Sequence, residues 1–189
     1  SAFYGCTNLQ ITATDAPDLS SVTGLSEMFR ACESVNSDLN NWDVSNVVFF
    51  NRMFYDAISF NGNISSWNTS SAENFEFMFF NARAVNQNIG SWDTESASTM
   101  RGMLYGAQLF NQDIGEWNTA NVENMNTLFF NAFDFNQDIS EWNTSNVTDM
   151  GLMFYRSLDF NQDISAWNTS NVTTMRSMFF ATPFNQDIS

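Results

Sequence analysis

The sequence predicts an α/β solenoid in which each repeat adds one short helix and one short strand, and three observations carry that prediction. Trp42, Trp67, Trp92, Trp117, Trp142 and Trp167 recur 25 residues apart and are all the tryptophans present. Counted from each of them, large apolar residues return at fixed offsets with the spacing of one helical face. Each unit then closes on an apolar/polar alternation, Gln162-Asp163-Ile164-Ser165 in one copy, which is the pattern of a short strand.

The helix is placed by Val147, Met150, Met153 and Phe154, with Ser145 or Asn146 able to cap its first amides. Equivalent pairs elsewhere are Met53-Phe54, Met78-Phe79 and Leu128-Phe129. The strand is placed by Ile64, Ile89, Ile114, Ile139 and Ile164, which point inward while Asp163 and Ser165 point out. Strands stack at ~4.8 Å and helices at ~9 Å, which bends the array and puts a parallel sheet on its concave side. Units of this length bury their apolar faces only against their neighbours, giving a leucine-rich-repeat-like curved array.

The whole chain, 1–189, divides as one repeat domain: a partial repeat 1–16, repeats 17–41, 42–66, 67–91, 92–116, 117–141 and 142–166, and a partial repeat 167–189. Pro17 takes the tryptophan slot of its unit, and the last unit has lost a residue near Pro183. Neither end carries the polar capping repeat such arrays require. The expectation is therefore a piece of a longer surface protein.

Units of the form FNQDIS-x-WNTSNVT-x-M-x-x-MF resemble the BspA-like leucine-rich-repeat surface proteins of bacteria and some microbial eukaryotes. The resemblance covers nearly the whole chain, departing at Pro17 and Phe3-Tyr4 and in lacking an anchor or signal segment. It implies an extracellular surface protein linked to adhesion, without naming a ligand.

Composition narrows the chemistry. There is no histidine and no lysine; the basic residues are Arg30, Arg52, Arg83, Arg101, Arg156 and Arg176. The commonest general base, Schiff-base and phosphate-loop lysines, and histidine metal ligands are all absent. Acids are plentiful, yet they recur in register where a catalytic site is a unique local constellation, so a non-enzyme is expected. A net charge of −15 argues against nucleic acid and anionic membranes. No apolar run reaches the ~18 residues of a membrane span.

Two faces are candidate binding surfaces. The first is acidic: Asp38, Asp113, Asp138, Asp163 and Asp187 share one strand slot, Asn63 and Asn88 fill it between, and Glu116 and Glu141 precede two tryptophans. Asp113, Glu116, Asp138, Glu141 and Asp163 form its centre. Like charges facing each other across such a ladder need neutralising by calcium, by a cationic ligand or by backbone amides. No metal site is assigned, since a ladder converges oxygens poorly, and calcium is the one candidate cofactor. The second face is an aromatic stripe, Tyr55, Phe80, Tyr105, Phe130 and Tyr155 with Phe180, beside an inward-facing neighbour in every unit.

Three further columns read as structural first. Asn61, Asn86, Asn111, Asn136 and Asn161 can satisfy backbone groups where the chain bends. Thr69, Thr94, Thr119, Thr144 and Thr169 are turn hydroxyls or, in a different reading, an ice-binding row. Cys6 and Cys32 share a small-residue slot, which favours two thiols over a bridge, though a secreted context raises the odds of the bridge. The function expected is an extracellular adhesion module whose repeated face contacts a protein, a glycan or another copy of itself. The alternative is a passive spacer that projects another domain.

Overall fold

The computed structural model describes residues 2–188; the outermost residues of the two partial repeats, 1 and 189, lie outside them. Among the described residues there is no α-helix and no strand longer than an isolated bridge. The predicted α/β solenoid, with a helix and a strand per repeat and a concave parallel sheet, is not what this chain forms. It is instead a stack of 25-residue layers built from turns.

Residues 150–157, where the helix was predicted, explain the difference. Met153, Tyr155 and Ser157 donate their N–H groups to the carbonyls of Met150, Leu152 and Phe154, closing three overlapping turns. The alternate amides leave the layer: Met150, Leu152, Phe154 and Arg156 donate to Thr174, Arg176, Met178 and Phe180 at 2.8–3.0 Å. An α-helix would commit every one of these amides to the residue four back. Leu152 (φ 58°) and Arg156 (φ 56°) are left-handed, which a right-handed helix cannot contain. The same two slots are left-handed at Arg52 and Asp56, Phe77 and Asn81, and Thr127 and Asn131.

The apolar spacing that suggested a helix serves the turns equally well. Turns closed over three residues bring Met150, Met153, Phe154 and Ser157 to the same inner side, and all four are buried.

The strand predicted at 162–165 also fails to form, because side chains pair the backbone beside it. Asn161 donates its N–H to the Asn136 side-chain oxygen at 3.0 Å, as Asn136 does to Asn111. Parallel pairing falls elsewhere, in single-residue bridges that run Gly24, Phe49, Asn74, Thr99, Asn124, Asp149, Thr174.

Each layer stacks like on like. Phe29, Phe54 and Phe79 lie with ring centroids 5.4 and 5.5 Å apart, and Trp142 and Trp167 lie 6.3 Å apart and nearly parallel. Thr69, Thr94, Thr119 and Thr144 are buried and donate their hydroxyls to carbonyls of the next layer at 2.8–3.1 Å. These four offer no exposed hydroxyl row to ice.

Candidate functional site

The acidic face is assembled from turn residues. Asp113, Asp138 and Asp163 each accept the backbone N–H two residues on, from Gly115, Ser140 and Ser165, at 2.9–3.0 Å. Asn63 and Asn88 make the same bond in their layers, which is why the amide and the acid interchange in this slot. Of the three ways to neutralise the ladder, the structure supplies the backbone amide. Bonds from Ser140 hold the Asp138 carboxyl below the ordinary range, and Ser165 does the same for Asp163 against the opposing charges of Asp138 and Asp187.

All five predicted acids of this face are exposed. Asp113, Glu116, Asp138 and Glu141 line one shallow depression together with Gly115, and Asp163 lies outside that lining. A Cβ at Gly115 would stand 2.8 Å from the Asp138 carbonyl oxygen, so the chain approaches its neighbouring layer closely there. Among the described residues no three cysteine or acidic side chains converge as a metal ion would need.

The aromatic stripe is a continuous column. Tyr55, Phe80, Tyr105, Phe130, Tyr155 and Phe180 stack with centroids 4.2–4.8 Å apart and planes within 16° of parallel. The first five are half-buried and Phe180 is exposed. The residue before each is turned into the core, as Phe54, Phe79, Leu104, Phe129 and Phe154 are. Burial pushes the Tyr105 hydroxyl above its ordinary pKa, and it does the same for Tyr55, aided by Asp56.

The column extends past its rings. Arg30 holds the same slot in its layer, with its guanidinium 4.8 Å from the Tyr55 ring centre and 5.2 Å from that of Tyr4. Beside it, Phe77 lies between Arg52 and Arg101, at 5.4 and 5.1 Å, and Glu76 pairs with both arginines. Leu109 and Leu158, 52% and 48% exposed, add an apolar margin, with Ile58 and Phe133 half-buried in the same margin.

Sequence reasoning recorded the arginines singly and missed this margin. The register contains the signal: every arginine falls between the ninth and sixteenth residue after the tryptophan slot, on the arc that carries the rings. Counted through the seventeenth residue, the slot of Leu109, that arc holds six acids, namely Glu27, Glu33, Asp56, Glu76, Asp134 and Asp159. The arc is therefore neutral, and the other fifteen acids, spread over the rest of each layer, carry the whole net charge of −15.

A family model described as "Mycoplasma protein of unknown function, DUF285" matches residues 1–117 and 100–189. The chain belongs to the DUF285 family. No curated protein and no solved structure matches it. In this DUF285 chain the two overlapping matches run across the same repeated layers that build both faces.

The remaining predicted sites sit as follows. Cys6 is exposed and Cys32 buried, both as free thiols, with the Cys32 sulfur 2.9 Å from the Phe3 carbonyl oxygen. Burial pushes the Cys32 thiol above its ordinary pKa, which keeps it a packing group. No helix of the described residues is long and apolar enough to cross a membrane.

Proposed function

We propose that this chain is an extracellular binding module, adhesive in its biological output and non-catalytic, and that its contact face is the ring–arginine arc. The observation that carries this reading is the segregation of charge: the rings, all six arginines and the exposed leucines share the one neutral side of a molecule otherwise strongly acidic. Aromatic residues and arginine are the side chains most enriched where proteins bind one another. The resemblance of the repeats to BspA-like surface proteins supports a surface location and adhesion.

The acidic depression at Asp113, Glu116, Asp138 and Glu141 is the second candidate face. It is the weaker one for binding a protein partner, because its aspartates are engaged in their own turns. On the arc each layer contributes a small increment, so affinity grows with the number of layers engaged.

The test is binding of the immobilised chain to a panel of matrix proteins, glycans and the chain itself. Saturable binding weakened by Leu109→Glu with Leu158→Glu, and unaffected by Glu116→Lys with Glu141→Lys, supports the arc. The opposite pattern moves the site to the acidic face, and no binding to any member of the panel favours a spacer.

A further inference from the structure

We propose that the partner of the ring–arginine arc is a second copy of this chain, paired side by side with the two stacks antiparallel. This rests on the reading of the arc as the contact face.

Charge selects the geometry. Two copies that meet through any other side bring their net negative surfaces together, since all fifteen uncompensated acids lie off the arc. Arc to arc, two neutral surfaces meet. Antiparallel pairing also sets the layer of Glu27, Arg30 and Glu33, in which Arg30 pairs with Glu27 and Glu33 is left over, against the Arg176 end of the other copy. Two-fold symmetry then repeats that contact at the opposite end.

Period selects the partner. The column from Tyr4 to Phe180 advances in seven steps of 4.2–5.2 Å. The faces of these rings are consumed by stacking on one another, so a partner meets ring edges. Ring edges recurring at each layer form a regular comb, and a partner that engages every tooth needs the same axial period. A second copy has it.

Area sets the strength. The column is on the order of 30 Å long, and five extended residues across the arc span ~16 Å, which gives ~500 Å² per copy and ~1,000 Å² in all. That stands at the lower bound for a specific interface, so the pairing is weak in solution and becomes effective where many copies share a surface.

Sedimentation equilibrium of the full chain, from micromolar to millimolar concentration and at two ionic strengths, tests the proposal. The expected result is a monomer–dimer equilibrium that tightens as salt screens the long-range repulsion between the copies. Leu109→Glu with Leu158→Glu should weaken it about tenfold or more, because the new carboxylates would be desolvated without partners. Both leucines are about half exposed, so the variant keeps its fold, checked by an unchanged circular dichroism spectrum. Glu116→Lys with Glu141→Lys should leave pairing intact or tighten it.

A chain that stays monomeric throughout overturns self-pairing, as does a dimer that the leucine variant leaves unchanged or that the lysine variant abolishes. The panel separates this from the broader reading. A monomer that still binds another protein through the arc loses only the self-pairing, whereas a monomer that binds nothing loses both.

Discussion

The indole N–H of Trp167 donates to the backbone carbonyl of Ile139 at 3.0 Å, across the boundary between two layers. The same carbonyl also accepts the backbone N–H of Trp142, three residues on in the same turn, at 3.2 Å. One oxygen thus closes a turn and ties down the next layer. Trp67, Trp92, Trp117 and Trp142 repeat the bond to Leu39, Ile64, Ile89 and Ile114. The 25-residue period of tryptophan follows from the need for one such tie per layer.

Trp142→Phe should therefore destabilise the stack by about 1–2 kcal/mol, through loss of the indole donor to the Ile114 carbonyl with most packing kept. Trp142→Ala should cost about 3–5 kcal/mol because a buried ring is lost as well. Denaturant titration of the two variants checks the order, and equal costs would show that the bond contributes little.

The asparagine column makes a different tie. Asn111 presents one side-chain oxygen to two donors, the Asn136 N–H at 3.0 Å and the Gln137 side-chain amide at 2.8 Å. Asn111→Ala strands both and should cost about 1–3 kcal/mol, whereas Asn111→Asp keeps an acceptor and should cost less. Thermal unfolding of the pair reads the difference.

Left-handed backbone at Leu152 predicts that Leu152→Gly is tolerated or stabilising by up to about 1 kcal/mol, with relief of a left-handed side chain set against the greater freedom of glycine when unfolded. The reverse change is not symmetrical. A Cβ at Gly102 (φ 55°) would overlap the Phe77 ring, so Gly102→Val should be clearly destabilising in the same denaturant assay.

Acidity should weaken the fold in a predictable window. The carboxyls of Asp138 and Asp163 titrate below their unfolded value of ~3.9 because backbone N–H groups hold the charged form. Their contribution is therefore present above about pH 4 and lost as pH falls through the folded values. Asp138→Asn with Asp163→Asn keeps the acceptor that Asn63 and Asn88 already use, so it should flatten that loss while leaving stability near pH 7 unchanged or higher. A series of melting temperatures from pH 2 to 7 decides it.

Much of the packing was legible in the sequence. The register placed the inward Phe54, Phe79 and Phe129, the stripe beside them and the asparagine column, because identical slots meet identical neighbours in a stack. The secondary structure was misread because apolar residues at 150, 153 and 154 fit a helix and a run of tight turns alike. The discriminating signal was present at the left-handed slots, where Gly102, Gly106, Asn81, Asn131 and Asp56 gather residue types that tolerate positive φ, and it was weakened by Leu152 and Phe77. The neutral arc escaped notice for a different reason. Six arginines scattered along the chain form a group only once each is given its place in the layer.

The layer path is what sets the rings, the arginines and Leu158 on one side, so the backbone torsions of residues 150–157 test the account most directly. Scalar couplings and carbon chemical shifts measured by NMR on the labelled chain should report positive φ at Leu152 and Arg156. A continuous run of negative, helical torsions through these eight residues would contradict the turn-built layer and with it the placement of the binding arc.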